Sequence, residues 1–323
     1  MLQMQKLSLH LSHTSDEKQF NMTGEKNYDV IIIGGSYAGL SGAMALGRSL
    51  RKVLIIDGGE PCNRQTPHSH NFITHDGNTP KAIAMQAKEQ VLKYDTVTFL
   101  QGIAVSASKN EKGFDIKTAA GDTFTARKLL FATGIKDKMP PIEGFAACWG
   151  ITAIHCPYCH GYEVRHEKTG IISNGDIGYE FCKLINNWTK DLTLFTNGKS
   201  TLTPEQTEKL RQHNIPVIET EITAFEHTNG YLNQVLFKDG STMSLKAVYS
   251  KLPFEQHCDI PVKLGCALNE QGYITVDNMY KTTVPGVFAA GDNTVQMRSV
   301  SLAIGSGGFA GAVINKELVD ESF

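Results

Sequence analysis

Long apolar runs are missing from this 323-residue chain, and so is an excess of charge of either sign. No stretch approaches the roughly 20 apolar residues that a membrane-crossing helix needs. The formal net charge is −2, so no basic footprint points to nucleic acid or an anionic membrane. A secreted disulfide scaffold packs an even number of cysteines into a short chain. Here an odd number, seven, is spread through a long one. The stretch MLQMQKLSLHLSHTSDEKQFNMTGEKN has neither a continuous apolar core nor a small-residue cleavage site, so it does not read as a secretory signal. It is polar and irregular, and a loose extension is expected over residues 1–27, with Met22 a candidate alternative start. The expectation is a cytoplasmic protein with reduced thiols and no nucleic-acid or membrane partner.

What is present is an ordinary globular composition, 41% hydrophobic and 20% charged, in a chain long enough for two domains. The run YDVIIIGGSYAGLSGAMALGRSL reads as a buried strand over residues 29–33, a glycine turn and a small-residue helix. A second strand, KVLIIDGG, follows and ends on Asp57. Strand, glycine turn, helix, strand and acid in this order form the first half of a dinucleotide-binding unit. Glycines let backbone approach a pyrophosphate, the helix N-terminus faces its charge, and the acid accepts from ribose hydroxyls. Ser36 stands where the second glycine of the fingerprint is usual. Short strands with turns at Lys112-Gly113 and Gly121-Asp122 then lead into Ala132-Thr133-Gly134, and the proline-rich KDKMPPIEGF reads as a domain boundary.

About 140 residues after the first, a second strand-turn-helix begins, TGIISNGDIGYEFCKLINNW, which suggests a duplicated nucleotide-binding fold. Its turn, Ser173-Asn174-Gly175-Asp176-Ile177-Gly178, has lost its first glycine. The strand after it ends in Thr196-Asn197-Gly198-Lys199, where an acid would suggest NAD and arginines NADP. A fold retained without its ligand remains open at this point.

Between the two units lies HCPYCHGYE, residues 155–163. Three readings compete: half of a zinc site with Cys148, His155 and His160, a reactive dithiol, or two inert buried cysteines. Zinc usually wants two paired half-sites, and only one pair exists. For a reactive dithiol the thiolate is needed, and lowering a cysteine's pKa takes a positive field. Pro157 suits the first turn of a helix, which would put both sulfurs at its positive end, with protonated His155 or His160 adding to the field. His160, with an unperturbed pKa near neutrality, is expected to give and take protons at working pH. Cys148 and Cys182 read as packing. Cys62 follows Asp57 and is expected to be accessible; Cys258 and Cys266 imply no partner. His257 is a secondary acid/base candidate, and His68, His70 and His75 read as solvated loop residues. No metal site is expected.

Taken in order, VIIIGGSYAGLSGA, the Ala132–Gly134 turn, the C-x-x-C of Cys156 and Cys159 and TTVPGVFAAGD ending at Asp292 resemble the low-molecular-weight thioredoxin reductase family of flavoproteins, over about Tyr28 to Val319. The resemblance implies an α/β fold of two Rossmann-like domains. The FAD-binding domain, residues 28–137 and 251–323, is split by an inserted NAD(P)H-type domain, 138–250, that carries the dithiol. It implies an FAD site from Gly34, Gly35, Ser36, Ala38, Gly39 and Asp57, completed by Ala132, Thr133, Gly134, Gly291, Asp292, Ser299 and Val300. Gly175, Asp176 and Gly178 are candidates for NADPH. It also implies that Cys159 faces the flavin, Cys156 exchanges with substrate and His160 shuttles protons, in a homodimer acting on a thioredoxin-like protein or a small dithiol or disulfide. The activity implied is that of a thiol-disulfide oxidoreductase. His160 stands where the reductases carry aspartate, and their second-motif arginines are missing. Both departures resemble the gliotoxin-type dithiol oxidases, which use FAD and oxygen without nicotinamide. A flavin-binding redox sensor without turnover is a further alternative.

Overall fold

The computed structural model describes residues 26–323, so all but the last two residues of the expected extension lie outside it. Chain order and pairing build two main sheets joined by two crossings. In the first, the parallel strands Val97–Gln101, Val53–Asp57, Asn27–Ile33 and Thr123–Phe131 lie side by side, and Gly113–Thr118 and Ala104–Asn110 continue antiparallel. Along Asn27–Ile33, Val30 and Ile32 join one buried cluster, while Ile31 and Ile33 join another. A strand alternates its side chains between faces, so a continuous apolar run marks a strand covered on both sides.

Thr123–Phe131 is shared by distant parts of the chain. Its first half pairs with Gly113–Thr118, and Leu129, Leu130 and Phe131 pair with Val287–Ala289. The helices Tyr37–Arg48 and Val300–Asp320 pack together over this sheet, tied by Ser41 Oγ donating to Ile304 O at 2.7 Å and Arg51 Nε to Asn315 Oδ1 at 2.7 Å. Lys128, on the shared strand, reaches Glu317 at 3.0 Å and also Glu321 on the C-terminal helix.

Both crossings pair with each other, Ile135–Asp137 antiparallel to Phe254–Gln256. Between them stands the second sheet, all parallel, in the order Val217–Ile218, Leu192–Phe195, Thr169–Ile172, Ala247–Ser250 and Ala153–Ile154. A three-stranded antiparallel sheet, Ile222–Thr228, Tyr231–Phe237 and Thr242–Ser244, packs its apolar side with Phe145, Trp149 and Phe195. Among the described residues no helix is long and apolar enough to cross a membrane.

Candidate active site between a glycine turn and a dithiol

The first glycine turn joins Asn27–Ile33 to the helix starting at Tyr37. Gly34 takes φ +105°, and a Cβ there would lie 2.3 Å from Ala132 O; a Cβ on Gly39 would lie 1.8 Å from Gly34 O. Any side chain at either position would collide with backbone, so the turn is closed to everything but glycine. Gly35 N donates to Asp57 Oδ1 at 2.8 Å. One oxygen of Asp57 therefore braces the turn, and the other remains an acceptor.

Above this turn opens a cavity. Ser36 and Ala38 line it from the helix start, Ala132, Thr133 and Gly134 from the end of the shared strand, and Gly291 and Asp292 from the loop after Val287–Ala289. Ser299 and Val300 add the first turn of the C-terminal helix, where Ser299 Oγ accepts from Leu302 N at 3.1 Å. The positive end of a 21-residue helix thus opens on the cavity. A turn closed to side chains at Gly34 and Gly39, with a helix N-terminus opening on the same cavity, fits the pyrophosphate of a flavin dinucleotide.

From the other side the cavity is closed by His155, Cys159 and His160, but not by Cys156. Pro157–His160 is a single helical turn with Cys156 at its N-cap. Both cysteines are free thiols. Cys156 is drawn down to about 7, first by a hydrogen bond from Cys159 and further by backbone N–H groups and Arg298, against its burial. Cys159, the donor of that bond, is pushed up. In the reduced protein Cys156 is therefore the thiolate of the pair. Iodoacetamide should label Cys156 first, at a rate that rises with pH through a midpoint of about 7. A midpoint near 9, the ordinary thiol value, would contradict the hydrogen-bonded pair.

Neither histidine supplies the field expected of it. Burial, then Arg298 and His160, hold His155 down to about 3. Burial, then His70, hold His160 down to about 4 rather than near neutrality. Both are neutral at pH 7, and the positive charge comes from Arg298 instead. Arg298 pairs with Asp137 at 3.0 Å, with side chains only 12% and 7% exposed. Trp149 Nε1 donates to the same carboxylate at 3.1 Å. Asp137 sits on a crossing, Trp149 beside the dithiol segment and Arg298 ahead of the C-terminal helix, so this ion pair ties the two sheets together at the cavity.

One further expectation is modified. His70 is not a solvated loop residue: it lines the cavity with His160. His68 and His75 make local contacts, to Gly77 O and the His70 ring and to Asn78 Nδ2 and the Phe72 ring. Cys62 is exposed, as expected, at the rim of the cavity, with Sγ 3.8 Å from Asp292 Oδ2. His257 also lines the cavity. Cys148 and Cys182 are fully buried packing residues, as expected. Among the described residues no group of three or more His, Cys, Asp or Glu could hold a metal ion.

The second glycine turn is built differently. Asn174 caps the helix Gly175–Ile185 with its own side chain: Oδ1 accepts from Gly175 N at 2.8 Å, Thr201 N at 2.9 Å and Thr201 Oγ1 at 3.1 Å. Its Nδ2 donates to Lys199 O at 2.9 Å. Gln206, from the next helix, donates to Asp176 Oδ1 at 2.7 Å. The Gly175 amide that a pyrophosphate would use is thus taken by the chain itself.

Arg298, Asp137 and His70 carry no local signal. Asp137 stands in KDK, where flanking lysines suggest solvent, and those lysines do reach outward to Glu255 at 3.7 Å each. The model of the pyridine nucleotide-disulphide oxidoreductase family matches residues 28–307. The chain is 29% identical over 304 residues to thioredoxin reductase tcpT of Claviceps purpurea (strain 20.1), covering 90% of this chain and 94% of that protein. It is 31% identical to thioredoxin reductase sirT of Leptosphaeria maculans, covering 89% and 93%. The crystal structure of a putative thioredoxin reductase TrxB from Bacillus anthracis superposes with a TM-score of 0.87 at 31% identity, covering 92% of this chain and all of that one. The chain belongs to the pyridine nucleotide-disulphide oxidoreductase family and is a flavin-dependent disulfide oxidoreductase of thioredoxin reductase-like type.

Proposed function

We propose that this enzyme binds FAD in the cavity and moves two electrons between it and a dithiol substrate through Cys156 and Cys159, in the oxidising direction. The observation that supports the direction is the self-capped second turn: Gly175 N is held by Asn174, so that amide is not free for a nicotinamide dinucleotide's pyrophosphate. The FAD-binding domain is assigned to residues 28–137 and 251–323 and the dithiol domain to 138–250. Gly34, Gly35 and Gly39 would admit the pyrophosphate, and Asp292 would accept from the ribityl chain. Ser299 and Val300 would face the flavin's pyrimidine edge.

FAD bound there supplies the two-electron acceptor that returns the cysteine pair to its disulfide, with oxygen as the terminal oxidant. The remaining steps belong to this chain. A substrate thiolate attacks Cys156 of the disulfide, forming a mixed disulfide and releasing Cys159 as a thiolate toward the cavity. The Cys159 thiolate, the stronger base of the pair, takes the proton of the second substrate thiol, with His160 neutral beside it on the cavity wall. That thiolate attacks the substrate sulfur bound to Cys156, so the substrate leaves as a disulfide and Cys156 leaves as a thiolate. A leaving group stabilised to about 7 departs readily.

Anaerobic mixing tests the direction. Small dithiols should bleach the flavin, and admission of oxygen should restore its colour. NADPH and NADH should leave it oxidised over the same time. Rapid bleaching by NADPH would reverse the direction to a reductase, and a flavin that no dithiol bleaches would remove the enzyme reading.

A further inference from the structure

Arg298 stands immediately before Ser299, the residue that caps the C-terminal helix, and lines the cavity with Ser299 and Val300. Both of its bonds to Asp137, 3.0 Å to Oδ1 and 3.2 Å to Oδ2, come from Nη1. The donors on Nη2 and Nε bond nothing among the described residues. A guanidinium carries donors on all its nitrogens and does not shed its proton. At 12% exposure these donors are largely shut off from bulk water, and enclosed donors without acceptors are costly. They call for acceptors on whatever fills the cavity. Arg298 is also the only lysine or arginine among the described residues that line it, against three carboxylates, those of Glu60, Asp137 and Asp292.

We propose that Arg298 contacts the bound flavin, donating from Nη2 and Nε to the acceptors of its pyrimidine edge, and that Asp137 is a positioning residue that holds the guanidinium there and offsets part of its charge. The proposal rests on the reading that FAD occupies the cavity with that edge toward Ser299 and Val300. Closing the cysteine pair joins Cys156 to Cys159 and passes two electrons and the Cys159 proton to the flavin. The negative charge of the Cys156 thiolate moves onto the flavin with them. In a cavity lined by three carboxylates that charge is opposed by its surroundings. The positive end of the C-terminal helix and Arg298 offset it. Charge beside the ring nitrogens tunes a flavin's electron affinity. Arg298 should therefore raise the potential of the bound flavin, and Asp137 should lower it. At 12% and 7% exposure neither charge is screened as a surface charge would be.

The test is the midpoint potential of the flavin at neutral pH, read by equilibration with redox dyes in the flavin-loaded protein. Every sample carries Cys156→Ser and Cys159→Ser, so that no cysteine pair shares the electrons. Arg298→Met should shift the ratio of oxidised to reduced flavin at a fixed potential roughly tenfold or more toward the oxidised form, a fall of about 30 mV for a two-electron couple. Asp137→Asn, which keeps the cation and removes its counter-charge, should raise the potential. Arg298→Met/Asp137→Asn should lie between the two. A disturbance of packing alone has no reason to move the single variants in opposite directions. If Arg298→Met loads too little flavin to titrate, the rise in Asp137→Asn decides. An unmoved potential in either titrated single variant would overturn the proposal, as would shifts of the same sign in both. Protein that takes up no flavin would remove the FAD reading and this one with it; loaded protein with unmoved potentials removes only this one.

Discussion

Cys159→Ser is expected to slow the bleaching of bound flavin by dithiols by on the order of a thousandfold or more, with flavin content and thermal midpoint unchanged. Of the two sulfurs only Cys159 lies on the cavity wall. Serine fills nearly the same space and still donates to Cys156, but it cannot form or resolve a disulfide. The variant, loaded with a dithiol substrate under oxidising conditions, should accumulate substrate joined to Cys156, visible as an added mass on the intact protein. Cys156→Ser should also stop turnover, without trapping substrate on Cys159. A Cys159→Ser protein that turns dithiols over at more than a few per cent of the normal rate would remove the pair from the mechanism.

Arg298→Met should cost about 3–5 kcal/mol of stability, because it strands the Asp137 carboxylate at 7% exposure with Trp149 as its remaining partner. Urea unfolding of the flavin-loaded protein measures the loss. Adding Asp137→Asn should recover much of it, since the uncompensated charge is then gone and the two changes are coupled. Arg298→Met should also move the alkylation midpoint of Cys156 to higher pH, because Arg298 is one of the groups that stabilise its thiolate. A loss below about 1 kcal/mol would show that solvent, not Arg298, keeps Asp137 charged.

The parts of this site that could be read in the sequence are those whose physics is local. Gly34, Gly35 and Gly39 with Asp57 are legible because one strand-turn-helix fixes their geometry within 24 residues. The same holds for Pro157, whose position after Cys156 set the single helical turn. The behaviour of His155 and His160 was not legible. Their low basicity comes from burial and from Arg298 and His70, which approach from segments about 140 and 90 residues away in the chain. Nothing in HCPYCHGYE encodes that enclosure. The self-capping of the second turn was half legible: a missing glycine can be read off, but Asn174 serving Gly175 and Thr201 at once depends on a loop 27 residues downstream.

The shared strand Thr123–Phe131 carries a constraint on the order of assembly. Its outer edge at Leu129–Phe131 waits for Val287–Ala289, made more than 150 residues later. The helix that covers the first glycine turn, Val300–Asp320, is later still. The interposed sheet, by contrast, is closed by pairings within residues 153–250. During synthesis the dithiol segment can reach its folded surroundings while the flavin cradle is still an unfinished, open-edged sheet. Closing the long loop carries its entropic cost up front, so the cradle is the last piece to be completed and the first to be lost when the C-terminal helix is cut away.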